Sequence, residues 1–228
     1  MNTHNKGLKS FLQTIFGNRI TRISNEKKPV NISRLTNSAA NLILSREDLQ
    51  KLECKTVRKY QLYAVKNMLV FSCFSGLMPE ELMKLKKSNI KVLPDGSKVI
   101  EVMRINGIPN SFIPVTKKME LILHYYNGHY KNARGGKLFP TYCNDDINEC
   151  LTYLSAYCGI YKPLTFLLAR RTYVIHEVLN GTSIDNLKLN LGHKEAKSTR
   201  RYIKELMREI YGETKSTSLL VKSPNYGK

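Results

Sequence analysis

The apolar positions along the chain change period twice. From Ser45 they recur at helical spacing, and Ser45-Arg46-Glu47-Asp48 gives the first helix a capping residue and two acids in its opening turn. Lys59 to Phe74 reads as a strongly apolar helix ended by Gly76. Pro79-Glu80-Glu81 opens the next helix, with proline in the first turn, acids at the positive end, and Leu82 and Leu85 on one face. The period then shortens. Ile90-Lys91-Val92 and Val99-Ile100-Glu101-Val102 flank the turn signal Pro94-Asp95-Gly96, and Ser111 to Val115 supplies a third short strand. Helical spacing returns for Lys117 to Tyr130, Asp145 to Cys158, Leu164 to Leu179, Ser183 to Leu189 and Glu195 to Tyr211. Gly159 ends the second of these and Asn180-Gly181 the third. Helices, a small three-stranded antiparallel sheet and more helices predict an α+β domain that is mainly α.

The flanks read differently. Residues 1–44 form a short basic arm or linker, with one short helix from Lys9 to Phe16 and a polar, basic run from Asn25 to Asn37 broken by Pro29. Residues 45–211 make the folded domain, and 212–228 a Ser/Lys-rich flexible tail. No internal repeat is present. No run reaches the ~18 apolar residues of a membrane span. No signal peptide is read, and a cytoplasmic protein without a membrane partner is expected.

Composition, at 42% hydrophobic and 24% charged, excludes disorder and fibrous classes. Charge changes the picture more. Lys and Arg total 37 against 18 Asp and Glu, a net charge of +19. An excess of that size attracts polyanions, nucleic acid first among them. The five cysteines are odd in number and contain no C-x-x-C, and the five histidines contain no H-E-x-x-H. A disulfide framework and a metal site are therefore not expected, and reduced thiols suit the cytosol.

Five elements then line up with one family. Phe71-Ser-Cys-Phe-Ser-Gly-Leu-Met-Pro-Glu-Glu-Leu82 resembles the first conserved box of the tyrosine recombinases, in wording closest to integrases of Bacteroidetes mobile elements. Thr165-Phe-Leu-Leu-Ala-Arg-Arg-Thr172 resembles their second box, and Leu191-Gly-His193 their Leu-Gly-His element. Tyr202 stands nine residues after His193, where the family places its nucleophile. The stretch from Arg104 to Val115 resembles the hairpin that carries a catalytic lysine. The resemblance covers about residues 45 to 211.

The resemblance implies a phage-integrase type of chemistry on double-stranded DNA. The tyrosine oxygen attacks a phosphodiester, becomes joined to the 3′-phosphate and displaces a 5′-oxygen, which takes a proton from the lysine. Arginines and histidine-type donors stabilise the negative charge that develops on the phosphoryl oxygens. The phosphodiester energy is kept, so no cofactor is implied. Assembly on DNA as a homo-oligomer, or with a full-length recombinase, is the implied partnership. The family also implies an N-terminal helical domain of roughly a hundred residues, a common domain size. About 44 residues precede the folded domain here, so the expectation is either a short form or a chain that depends on a partner to complete the clamp.

Residue by residue the match is partial. Arg170, His193 and Tyr202 are retained. The family's first arginine falls on Met78, its hairpin lysine on Asn106 and the histidine of its second box on Leu167. Removing one preorganised donor of this kind typically costs roughly 10²–10³ in rate, though such losses are not additive. Met78 and Leu167 offer a phosphate no useful hydrogen bond. Arg171, beside Arg170, and Arg104, two residues before Asn106 and hence on the same strand face, are candidate substitutes. Lys84, Lys86, Lys87, Arg200 and Arg201 are candidate contacts to the DNA backbone. Each also has a bland reading. The chain has 13 tyrosines, so identity alone does not single out Tyr202; Arg170 could serve a structural ion pair, His193 a cap, and the lysines only solvent.

Two readings of function lead, and a basic protein that binds RNA is a third that no RNA-recognition motif supports. The losses favour a DNA-binding accessory or regulator with impaired catalysis. The retained residues favour a divergent active recombinase that forms a 3′-phosphotyrosine at Tyr202.

Overall fold

A computed structural model describes residues 41–103, 110–129 and 136–212. Residues 1–40, with the short helix expected from Lys9 to Phe16, residues 104–109, with Arg104 and Asn106, and the residues beyond Gly212 lie outside the described residues.

Eight helices and three strands form among the described residues. Helix α1 (Arg46–Cys54) starts as its sequence predicts. Ser45 accepts the Asp48 N–H at 3.1 Å, and Asp48 Oδ2 accepts the Ser45 N–H at 2.9 Å, a reciprocal cap. Helix α2 (Tyr60–Ser75) is apolar nearly all round because it is the central helix. It packs against α1, against α4 (Lys117–His129), against α5 (Asn144–Cys158) and against α6 (Phe166–Leu179).

Helix α3 (Pro79–Leu82) has a single turn, shorter than the pattern through Leu85 suggests. Lys84 lies beyond its end, Lys86 pairs with Lys137 in a short bridge, and Lys87 opens a 3₁₀ turn to Asn89. These three lysines therefore stand on a basic turn that follows the helix. Leu85 still reaches the core, through a backbone bond with Leu138 at 2.8 Å rather than through helix periodicity.

The sheet is a sequential antiparallel meander of β1 (Ile90–Val92), β2 (Lys98–Val102) and β3 (Ser111–Pro114). Ile100 sits opposite Ile90 on one side and Ile113 on the other. The turn between β1 and β2 closes as expected, with Gly96 at φ +82 and Asp95 accepting from the Ser97 backbone and hydroxyl at 3.0 and 2.7 Å.

Two further helices complete the chain, α7 (Ile184–Leu191) and α8 (Ala196–Tyr211). They pack on each other and on the second half of α6. Two apolar clusters result. Phe166, Leu168 and Ala169 of α6 belong to the larger one around α2, and Tyr173 to Val178 to the smaller one around α7 and α8. Arg170 and Arg171 fall at the seam between them.

The folded unit also reaches further back than residue 45. Ile43 and Leu44 are fully buried. The Leu44 N–H donates to Thr172 Oγ1 at 2.8 Å, and Lys162 Nζ donates to Ile43 O at 3.0 Å. These two residues read as arm because the helical pattern begins only after them. Their partners lie in a distant part of the sequence.

Candidate functional site

Helix α6 positions the arginine pair. Thr165 caps it, accepting the Leu168 N–H at 3.0 Å. That capped first turn holds Phe166 and Leu168 in the core, and the helical period then turns Arg170 toward the start of α3 and the end of α7. Arg170 Nη1 donates to Gly76 O at 3.2 Å and lies 3.6 Å from Glu81 Oε2. Its Nη2 donates to Leu191 O. Leu191 is the last residue of α7, whose terminal carbonyls carry partial negative charge and favour a cation. The guanidinium is thus buried with an acid and two carbonyls around it. Burial lowers its pKa, while the phenols of Tyr202 and Tyr173 raise it.

Glu81 is the residue that sequence reasoning placed for another reason. Its acidic charge was legible only as a helix-terminus feature. In the fold its Oε2 accepts the Met78 N–H at 2.9 Å and faces Arg170. The signal was there in the Glu-Leu pair of the first box, but the facing cation lies on a helix much later in the chain.

The Leu-Gly-His element folds as a helix stop. Gly192 takes φ +71, and the N–H groups of Gly192 and His193 close the end of α7 on Leu189 O and Lys188 O, both at 3.0 Å. The reversal brings His193 against α8. Its Nδ1 shares a 2.9 Å hydrogen bond with Oγ1 of the buried Thr199, and its ring meets the Tyr202 ring edge-on at 6.1 Å.

Tyr202 closes the site from α8. Its hydroxyl is buried within interaction range of the Arg171 side chain, and neither that oxygen nor Arg171 Nε closes a hydrogen bond of normal geometry among the described residues. An unsatisfied buried polar atom costs about 1–3 kcal/mol, so two of them together mark a place suited to a polar ligand. Burial raises the Tyr202 pKa; the neighbouring Arg170 and Arg171 cations pull against that rise. The structure therefore brings Arg170, Arg171, His193 and Tyr202 together, with Arg170 held by Gly76 O, Leu191 O and Glu81 and His193 by Thr199; the two adjacent cations beside a phenol suit an anion such as a phosphate.

The other positions fall outside that group. Met78 packs against the main core at the start of α3. Leu167, in the first turn of α6, is 47% exposed and turned away from both clusters. Arg200 and Arg201 are exposed on α8, as are Lys84, Lys86 and Lys87 in the basic turn. Among the described residues, no group of three or more acidic, His or Cys side chains could hold a metal ion, and no helix is long and apolar enough to cross a membrane.

The buried phenols give an alkaline signature. Burial raises the pKa of Tyr126, Tyr202 and Tyr211 above the ordinary 10.0. A raised folded pKa stabilises the fold fully below the unfolded value, and that stability is lost as pH rises through the folded values. Absorbance titration is expected to show these phenols ionising above pH 10 together with the loss of helical circular dichroism. All 13 tyrosines ionising near pH 10 with the helices intact would contradict the burial described.

No family model matches the chain, and no curated protein matches it. Solved structures do. The chain is 20% identical to XerA recombinase, with a TM-score of 0.55 over 70% of this chain and 59% of that one. XerH site-specific recombinase, bound to its difH substrate in a pre-cleavage complex, gives 16% identity and a TM-score of 0.59 over 71% of this chain and 50% of that one. The Tn1549 transposon integrase, in complex with transposon right end DNA, gives 15% and 0.53 over 78% and 61%. The chain thus spans between half and about three fifths of the length of these proteins. At these identities the likeness establishes architecture, and the described residues have the fold of a tyrosine recombinase catalytic domain, mainly α with a small three-stranded antiparallel sheet.

Proposed function

We propose that this chain is a DNA-binding protein of the tyrosine recombinase type, tied to site-specific recombination or integration of a mobile element, and that it acts as an accessory or regulator with impaired strand cleavage. One observation carries the reading. Arg170, Arg171, His193 and Tyr202 stand together, with the Tyr202 hydroxyl and Arg171 Nε buried and short of a full hydrogen bond, while Met78 and Leu167 put a thioether and an alkyl group where the resemblance implies two phosphate donors. A site that keeps binding groups and loses transition-state donors retains affinity and gives up rate. The net charge of +19 supplies the long-range attraction for the duplex. DNA is also what XerH and the Tn1549 integrase hold in their solved complexes.

A specific observation favours the second reading, a divergent active recombinase. Burial raises the Tyr202 pKa, and Arg171, with Arg170, works against that rise from beside the phenol, a placement suited to a substitute donor. Incubation with nicked duplexes tiled across the DNA flanking the gene separates the two. The accessory reading expects salt-sensitive binding and no denaturation-resistant adduct, with Tyr202→Phe binding as the parent does. An adduct that disappears in Tyr202→Phe establishes the active enzyme instead.

A further inference from the structure

Helix α8 has a second face that the candidate site does not use. Thr199, Ile203, Leu206, Met207 and Ile210 are buried against α6 and α7. Lys197, Arg200, Arg201, Lys204 and Arg208 are all exposed. At 3.6 residues per turn these five cations fall within roughly 100° of arc, on the side away from the buried face. Of the acids of the helix body, Glu209 lies toward Tyr202, and Glu205 borders the stripe, four residues after Arg201 and three before Arg208. Tyr202 itself is about 140° round the helix from the middle of the cationic stripe. Arg200 and Arg201, though adjacent to Tyr202 in sequence, therefore point away from the site that Tyr202 closes.

Like charges three and four residues apart repel, and here they recur along the whole helix: 197 with 200 and 201, 200 and 201 with 204, 204 with 208. An ordinary solvated helix face mixes signs. A stripe of one sign over about 16 Å of helix meets its complement in a dense linear anion. A duplex presents one phosphate charge per ~1.7 Å of axis over that length, which an acidic protein surface does not sustain.

We infer that the outer face of α8, built from Lys197, Arg200, Arg201, Lys204 and Arg208, is a second DNA-backbone docking surface, separate from the Arg170–Tyr202 site and blind to sequence. The inference rests on the nucleic-acid reading of this chain, and it adds a contact that this reading does not require. A protein with two phosphate-binding surfaces on opposite sides of one helix holds two duplex segments at once, or wraps one.

The test titrates the full chain against a fluorescent duplex of arbitrary sequence between roughly 50 and 200 mM salt. A variant with all five stripe residues changed to glutamine is expected to lose about 0.9 of the log-log salt slope per phosphate contact removed, and at least tenfold in affinity at about 0.1 M salt. The pair Arg201→Gln and Lys204→Gln, which leaves most of the helix surface intact, loses about 1.8 of slope. Removing two charges off the stripe, with Lys117→Gln and Lys118→Gln, leaves the slope near the parent's. Circular dichroism melting checks that each variant is folded. Stripe variants that bind with the parent's slope and affinity overturn the second surface and leave the nucleic-acid reading standing. Stripe variants that keep DNA binding and lose self-association overturn it equally, and assign the stripe to a protein contact. A parent chain that binds no duplex overturns both.

Discussion

Replacing Gly76 with valine is expected to destabilise the domain by about 2–5 kcal/mol, the sum of a backbone and a packing penalty. Gly76 ends α2 with φ +71, a left-handed conformation that a β-branched residue resists most. Space is short as well. A Cβ at this position would stand 2.5 Å from Cδ1 of the Tyr173 ring. The ring cannot retreat cheaply, because Tyr173 is buried and its hydroxyl accepts from Asn190 Nδ2 at 2.8 Å. Gly76 O also receives Arg170 Nη1, so the backbone shift that relieves the overlap disturbs the candidate site. Urea denaturation measures the loss. A valine variant within about 1 kcal/mol of the parent would contradict the close approach, since surface changes alone fall below that. Gly76→Ala, with a smaller but equally left-handed residue, is expected to lie between the two.

Lys162→Met is the second large effect, at about 3 kcal/mol. Lys162 Nζ is 2.7 Å from Asp48 Oδ2, with both side chains about nine-tenths covered, and it also holds Ile43 O. Methionine fills similar volume but leaves the carboxylate without its cation, and breaking a buried pair from one side typically costs about 3–5 kcal/mol. The lower end applies because Asp48 keeps its bond to the Ser45 N–H. For a domain of this size the melting midpoint is expected to fall by roughly 6–12 °C. The double variant with Asp48→Asn should recover part of the loss, since it removes the stranded charge. Equal losses in the single and double variants would mean that the ion pair is not the cause.

Local chemistry explains which parts of this fold the sequence disclosed. Ser45 and Asp48 can cap only a helix start, Asp95-Gly96 fits only a tight turn, and the unbroken apolar run in α2 demands a helix surrounded by others. Each is a statement about neighbours in sequence. The single turn of α3 was hidden because Leu82 and Leu85 suit a helix face equally well, and the backbone bond from Leu138 that pulls Leu85 inward comes from far along the chain. The same division holds at the site. The retained Arg170, His193 and Tyr202 were readable from motif order. That Glu81 and the end of α7 hold Arg170, that Arg171 rather than Arg200 or Arg201 stands at the Tyr202 hydroxyl, and that Leu167 is half exposed depend on how α3, α6, α7 and α8 meet.

The bond between Leu44 and Thr172 spans 128 residues. A ribosome adding about 5–20 residues per second needs roughly 6–26 s to make that stretch. Throughout that interval Ile43 and Leu44 have been synthesised and the helix that will cover them has not. Until Thr172 and Lys162 emerge, two large apolar side chains remain available to chaperones or to other nascent chains. Their docking is a late event in synthesis, set by the order in which the chain is made and not by the strength of the contact.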